Sequence, residues 1–129
     1  LNKMTIDFSS EKLKSEYLFE AIDYEKDKFG IVKEFFNSIN MSKKFLYGLS
    51  LMAEGVGFCF DETYFHFPDL ESSGDELRFE GLMFGVFDEE VIVSEADGYN
   101  LARLACNKYL QLHPEDTSKV NELLTKLPG

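Results

Sequence analysis

The side chains best placed for chemistry in this sequence lie between residues 69 and 80. Asp69, Glu71, Ser73, Gly74, Asp75 and Glu80 fall at positions 1, 3, 5, 6, 7 and 12 of a calcium-binding loop. Oxygen ligands at alternate positions, with glycine at the sharp bend, are what calcium requires there. Three features oppose that reading. Glu71 is longer than the usual Asp or Asn, Glu76 takes a position normally aliphatic, and the flanks read as strands, with Pro68 just before the loop. A solvated acidic loop accounts for the same residues.

The remaining reactive types are sparse. Cys59, His66, Cys106 and His113 lack zinc-finger spacing. Cys59 and Cys106 sit in apolar segments and read as reduced, buried thiols, with a disulfide between them left open. His66 lies in an aromatic strand as a core or rim residue. His113, before Pro114, reads as a cation at a helix C-terminus. No nucleophile motif surrounds any of them. The carboxylate pairs Asp61-Glu62, Asp75-Glu76 and Glu89-Glu90 suit exposed turns better than acid–base work. The expectation is no catalytic residue, no metal and no cofactor.

Charge is more informative than motif. The chain has 129 residues and a net charge of −11. Twelve carboxylates and the single Arg78 lie between Asp61 and Asp97, so that segment alone carries −11 and the remainder sums to zero. Nucleic acids and anionic membranes require a basic footprint, which excludes both as partners. A cationic partner is favoured, because clustered like charge steers oppositely charged proteins together. The competing account is an acidic surface kept for solubility. No apolar run approaches a membrane span, and the first residues show no signal peptide.

The elements that must position this segment follow from periodicity. Residues 1–129 read as one domain, with 1–27 a loosely attached N-terminal segment. A weak helical pattern covers 9–24. Asp27 can cap a helix carrying Phe29, Val32, Phe35, Phe36 and Ile39. Ser42 can cap a second, carrying Phe45, Leu46, Leu49 and Met52 and stopped by Gly55. Alternation then takes over. Val56–Phe60 and Thr63–Phe67 flank Asp61-Glu62 as one hairpin; Arg78–Phe87 and Glu90–Val93 flank Asp88-Glu89 as another. Large apolar groups on both faces of 82–87, Phe87 included, predict a central strand. Ser94 and Asp97 have capping-box spacing before a helix that ends at His113-Pro114, and a last helix follows Pro114. The fold class is α+β: a small antiparallel sheet of about four strands in two hairpins, helices before and after it, packed on one or both faces.

The strings Phe-Glu-Gly-Leu-Met-Phe-Gly-Val-Phe-Asp-Glu-Glu-Val-Ile-Val-Ser (79–94) and Leu-Ala-Cys-Asn-Lys-Tyr-Leu-Gln-Leu-His-Pro-Glu-Asp (104–116) resemble immunity proteins of bacterial contact-dependent growth inhibition (CDI) systems, of the ribonuclease-toxin type. Residues 33–39 and 55–61 are similar to the same pattern, and the resemblance covers 28–127. It implies a cytoplasmic, non-enzymatic inhibitor that binds the basic C-terminal nuclease domain of a toxin as a 1:1 heterodimer. Carboxylates would then stand in for phosphates opposite the toxin's Lys and Arg. The candidate partner-binding residues are Asp61, Glu62, Tyr64, Phe67, Asp69, Glu71, Asp75, Glu76, Asp88, Glu89 and Glu90, with the aromatics as anchors among the acids. The alternative is an acidic nucleic-acid mimic that binds another basic protein.

Overall fold

Phe35 is the residue around which the layers close. Its ring lies 5.2 to 6.2 Å from those of Phe58, Phe65 and Phe84, which come from three adjacent strands. A computed structural model describes residues 17–69 and 78–128. Helix α1 spans Gly30–Met41 and buries Val32, Phe35, Phe36 and Ile39 on one stripe. Helix α2 spans Phe45–Ala53. Strands β1 (Phe58–Phe60), β2 (Thr63–His66), β3 (Leu82–Val86) and β4 (Glu89–Val93) form one antiparallel sheet in the order β1-β2-β3-β4. Helix α3 (Glu95–Leu112), a 3-10 turn (Pro114–Asp116) and helix α4 (Thr117–Leu124) complete the chain. This is the α+β arrangement of two hairpins between helices.

The period of two sorts the sheet's faces. Phe58, Phe65, Phe84 and Val91 stand in register on the helix side. The adjacent row, Cys59, Tyr64, Gly85 and Glu90, stands on the other. Helix α1 packs on the first face. Helix α3 reaches the same face where Gly98 meets Leu82, and α2 where Gly48 meets Phe58. Phe45 of α2 stacks on Tyr109 of α3 at 4.4 Å. Every residue of β3 is buried, as its apolar pattern predicts. Gly85 is required there because a Cβ would lie 2.1 Å from Tyr64 Cζ; the phenol ring occupies the space of the missing side chain.

Several boundaries differ from expectation. Residues 17–24 are not helical. They form a strap whose Leu18 and Phe19 enter the core, and residues 9–16 of that expected helix lie outside the described residues. Ser42 ends α1 rather than capping α2, whose N-terminus at Lys44 has no side-chain cap. Asp27 does act before α1, its carboxylate accepting from Phe29 N at 2.9 Å. Ser94 Oγ accepts from Asp97 N at 3.1 Å, as its spacing predicts. The second hairpin turns at Phe87-Asp88, one residue earlier than the acid pair suggests, because Val86 pairs with Glu89. Both cysteines are free; Cys106 is buried, but Cys59 is exposed, its strand parity placing it away from the helices.

Candidate functional site

Two tight turns bring four of the predicted carboxylates to one end of the sheet. Asp61 and Glu62 link β1 to β2; Phe87 and Asp88 link β3 to β4, and Glu89 opens β4. Strands β2 and β3 are neighbours, so the turns lie side by side, and Phe87 N donates to Glu62 O at 2.7 Å. Asp61, Glu62, Asp88 and Glu89 are all exposed, and none forms an ion pair with a described residue. Four clustered carboxylates with no ion pair to a described residue raise a local negative field that water only partly screens. Lys26 and Lys28 share a cleft lining with Asp88 and Glu89, and Lys44 Nζ lies 5.1 Å from the centroid of the Phe60 ring next to Asp61.

The first residue of each turn has a positive φ, 54° at Asp61 and 56° at Phe87. Aspartate tolerates that region; phenylalanine does so at a cost of order 1–3 kcal/mol. Phe87 is also 68% exposed, so packing does not explain its side chain. Sequence reasoning placed Phe87 inside the central strand. A strand-like apolar residue beside an acid pair gave no sign that the turn would begin at the aromatic. Two clefts flank Phe87. One, of about 530 Å³, includes Met41, Phe60, Asp61, Glu62 and Thr63. The other, of about 560 Å³, includes Tyr24, Ile31, Glu34, Asp88 and Glu89.

The other predicted residues are not gathered here. Tyr64 and Glu90 project from the opposite sheet face, where the phenol donates to the carboxylate. Desolvation, and then this bond to Glu90, push the Tyr64 phenol up to about 12. His66 stacks on the Tyr64 ring at 5.1 Å. Phe67 leans into the core against Phe65, with ring centroids 4.9 Å apart, and Asp69 is exposed near that end. Glu71, Asp75 and Glu76 lie outside the described residues, as does most of the calcium-like loop. No group of three or more His, Cys, Asp or Glu among the described residues is placed to hold a metal.

The strap reaches the larger cleft at Tyr24, and a buried amide holds the strap's other end. Asn37 on α1 accepts from Leu18 N and Phe19 N, both at 2.9 Å, and donates to Phe19 O at 2.8 Å. Further along, the Tyr24 hydroxyl donates to Glu34. Desolvation and that carboxylate raise the Tyr24 phenol to about 12. The Lys33 ammonium and the Phe29 amide hold the Asp27 carboxyl below the ordinary range. Sequence reasoning missed Tyr24, Glu34, Asn37 and Phe87 because their roles depend on neighbours distant along the chain.

A family model described as CDI immunity protein matches residues 13–124. The chain belongs to that family. The match begins at residue 13 and so takes in the strap residues 17–24. Comparison with curated proteins returns no match. Membership makes this protein an immunity protein against a CDI toxin, and no described helix is long and apolar enough to cross a membrane.

Proposed function

We propose that this immunity protein neutralises a basic nuclease toxin, its substrate an RNA, by docking the acidic end of the sheet over the toxin's phosphate-binding surface. It acts in the bacterial cytoplasm, without catalysis, as a 1:1 complex with the toxin's C-terminal domain. The observation that carries the reading is the pair of hydrogen-bonded turns, which presents Asp61, Glu62, Asp88 and Glu89 around an exposed Phe87. A nuclease must gather cations where its substrate's phosphates bind. Carboxylates on a preformed scaffold meet the same cations with little ordering cost. The resulting interface would bury about 1,600 Å² in total. Long-range attraction would set the on-rate, and a few desolvated contacts would set the off-rate. Tyr64 and Glu90 would lie outside this contact, and Phe67 would support the fold beneath it.

The test is association kinetics with the cognate toxin domain. The quadruple variant Asp61→Asn, Glu62→Gln, Asp88→Asn, Glu89→Gln keeps side-chain size and removes four charges. The on-rate at low salt should fall about tenfold or more, and its dependence on salt should flatten. An unchanged on-rate and salt slope would place the contact on another surface. A toxin that degrades no nucleic acid would overturn the nuclease assignment while leaving family membership intact.

A further inference from the structure

Phe87 and Tyr24 stand as exposed aromatic rims of one cleft, and that cleft has a charge that selects its occupant. Phe87 is 68% exposed and Tyr24 58%. Between them lie Ile31, Glu34 and Glu89, with the buried Gly30 and Val86 also contributing to the lining. At about 560 Å³ the cleft is within the range of roughly 300–1,000 Å³ typical of ligand sites. Five carboxylates line it against Lys26 and Lys28, and Lys28 is turned over the Phe29 ring, 5.0 Å from its centroid. The cleft is therefore aromatic at its rims, partly apolar within and negative overall.

We infer that this cleft receives an arginine side chain from a loop of the basic partner, with the guanidinium between the Tyr24 and Phe87 rings and facing Glu34 and Glu89. The inference rests on the toxin-inhibitor reading for its partner, but the cleft chemistry stands apart from it. A guanidinium is planar and weakly hydrated, stacks on aromatic faces and pairs with carboxylates through two bonds at once. A lysine ammonium does only the second, through a single point charge. Glu34 is prepared for this role. Its Oε2 accepts from the Tyr24 hydroxyl, while Oε1 has no hydrogen bond to a described residue. The same bond fixes the Tyr24 ring against α1. A second copy of this chain is disfavoured as the occupant, since the partner would then also carry −11. The strain and exposure of Phe87 are what a binding anchor shows before its partner arrives.

Two measurements on the intact 129-residue chain test this. Titration with N-acetyl-arginine methylamide, followed by amide shifts, should perturb Gly30, Ile31, Phe87 and Asp88 saturably. The lysine analogue should bind the same amides at least about threefold more weakly. Equal binding of both probes, or shifts spread over all exposed carboxylates, would overturn the inference. In the second measurement, Phe87→Gly and Glu34→Gln are each assayed for toxin affinity. Glycine accepts the positive φ at 87, so the turn is preserved. Phe87→Gly should weaken the complex about 30-fold, as loss of an aromatic anchor does. One toxin arginine, protected from phenylglyoxal in the native complex, should become reactive in the variant. Toxin binding that survives both variants with no arginine protected would sink the cleft assignment and leave the inhibitor reading standing. Loss of binding in the quadruple carboxylate variant, but not in these two, would do the same.

Discussion

Replacing Asn37 with leucine should both destabilise the fold and loosen the cleft at Tyr24. The amide makes three hydrogen bonds to the backbone of Leu18 and Phe19, and it is buried, with 5% of its surface exposed. Leucine has similar bulk and no polar atom, so two N–H groups and one C=O lose their partners. Each buried backbone group left unpaired costs about 1–3 kcal/mol. The chain can avoid that penalty by releasing the strap, which instead exposes the Leu18 and Phe19 side chains at about 1.5–3 kcal/mol each. Entropy regained by the freed strap offsets part of either route, leaving an expected net loss of about 2–4 kcal/mol. Urea unfolding followed by circular dichroism measures it directly. Hydrogen exchange then tells which route is taken: if the strap leaves, the amides of Leu18 and Phe19 lose protection while those of β3 keep it. Tyr24 follows the strap, so partner affinity should fall in the same variant. A loss below about 1 kcal/mol, with the Leu18 and Phe19 amides still protected, would refute the clamp argument.

Three further outcomes follow from the described contacts. Gly85→Ala places a Cβ 2.1 Å from Tyr64 Cζ, so the ring must move and the variant should lose about 1–3 kcal/mol in thermal or urea unfolding. In a phenolate absorbance titration, Tyr24 and Tyr64 should ionise only near about 12. Because the folded phenols lie above their unfolded value of 10, their contribution to stability is full below pH 10 and is lost as pH rises towards about 12. Glu34→Gln and Glu90→Gln should bring the respective phenols down. With the thiol reagent DTNB, Cys59 should react in the native protein, whereas Cys106, pushed to about 12 by burial, should react only on unfolding.

The sequence by itself determined whatever depends on near neighbours. Period-two runs around Asp61-Glu62 and before Val93 declared two hairpins, since strand parity repeats over a few residues. The Ser94 cap was legible because its partner Asp97 is three residues away. The confinement of −11 to residues 61–97 needed only counting, and with it came the expectation of a basic partner. The tertiary structure decided what depends on residues far apart. Cross-strand pairing of Val86 with Glu89 moved the turn to Phe87-Asp88 and expelled an aromatic that reads as core. Asn37, an unremarkable helix residue in sequence, became the clamp for a strap eighteen and nineteen positions earlier. The adjacency of β2 and β3 joined two distant acid pairs into one surface, while pleat parity sent Tyr64 and Glu90 to the opposite face. Local propensity acts over one or two turns of chain, whereas a binding surface is assembled by packing, which sequence spacing does not encode.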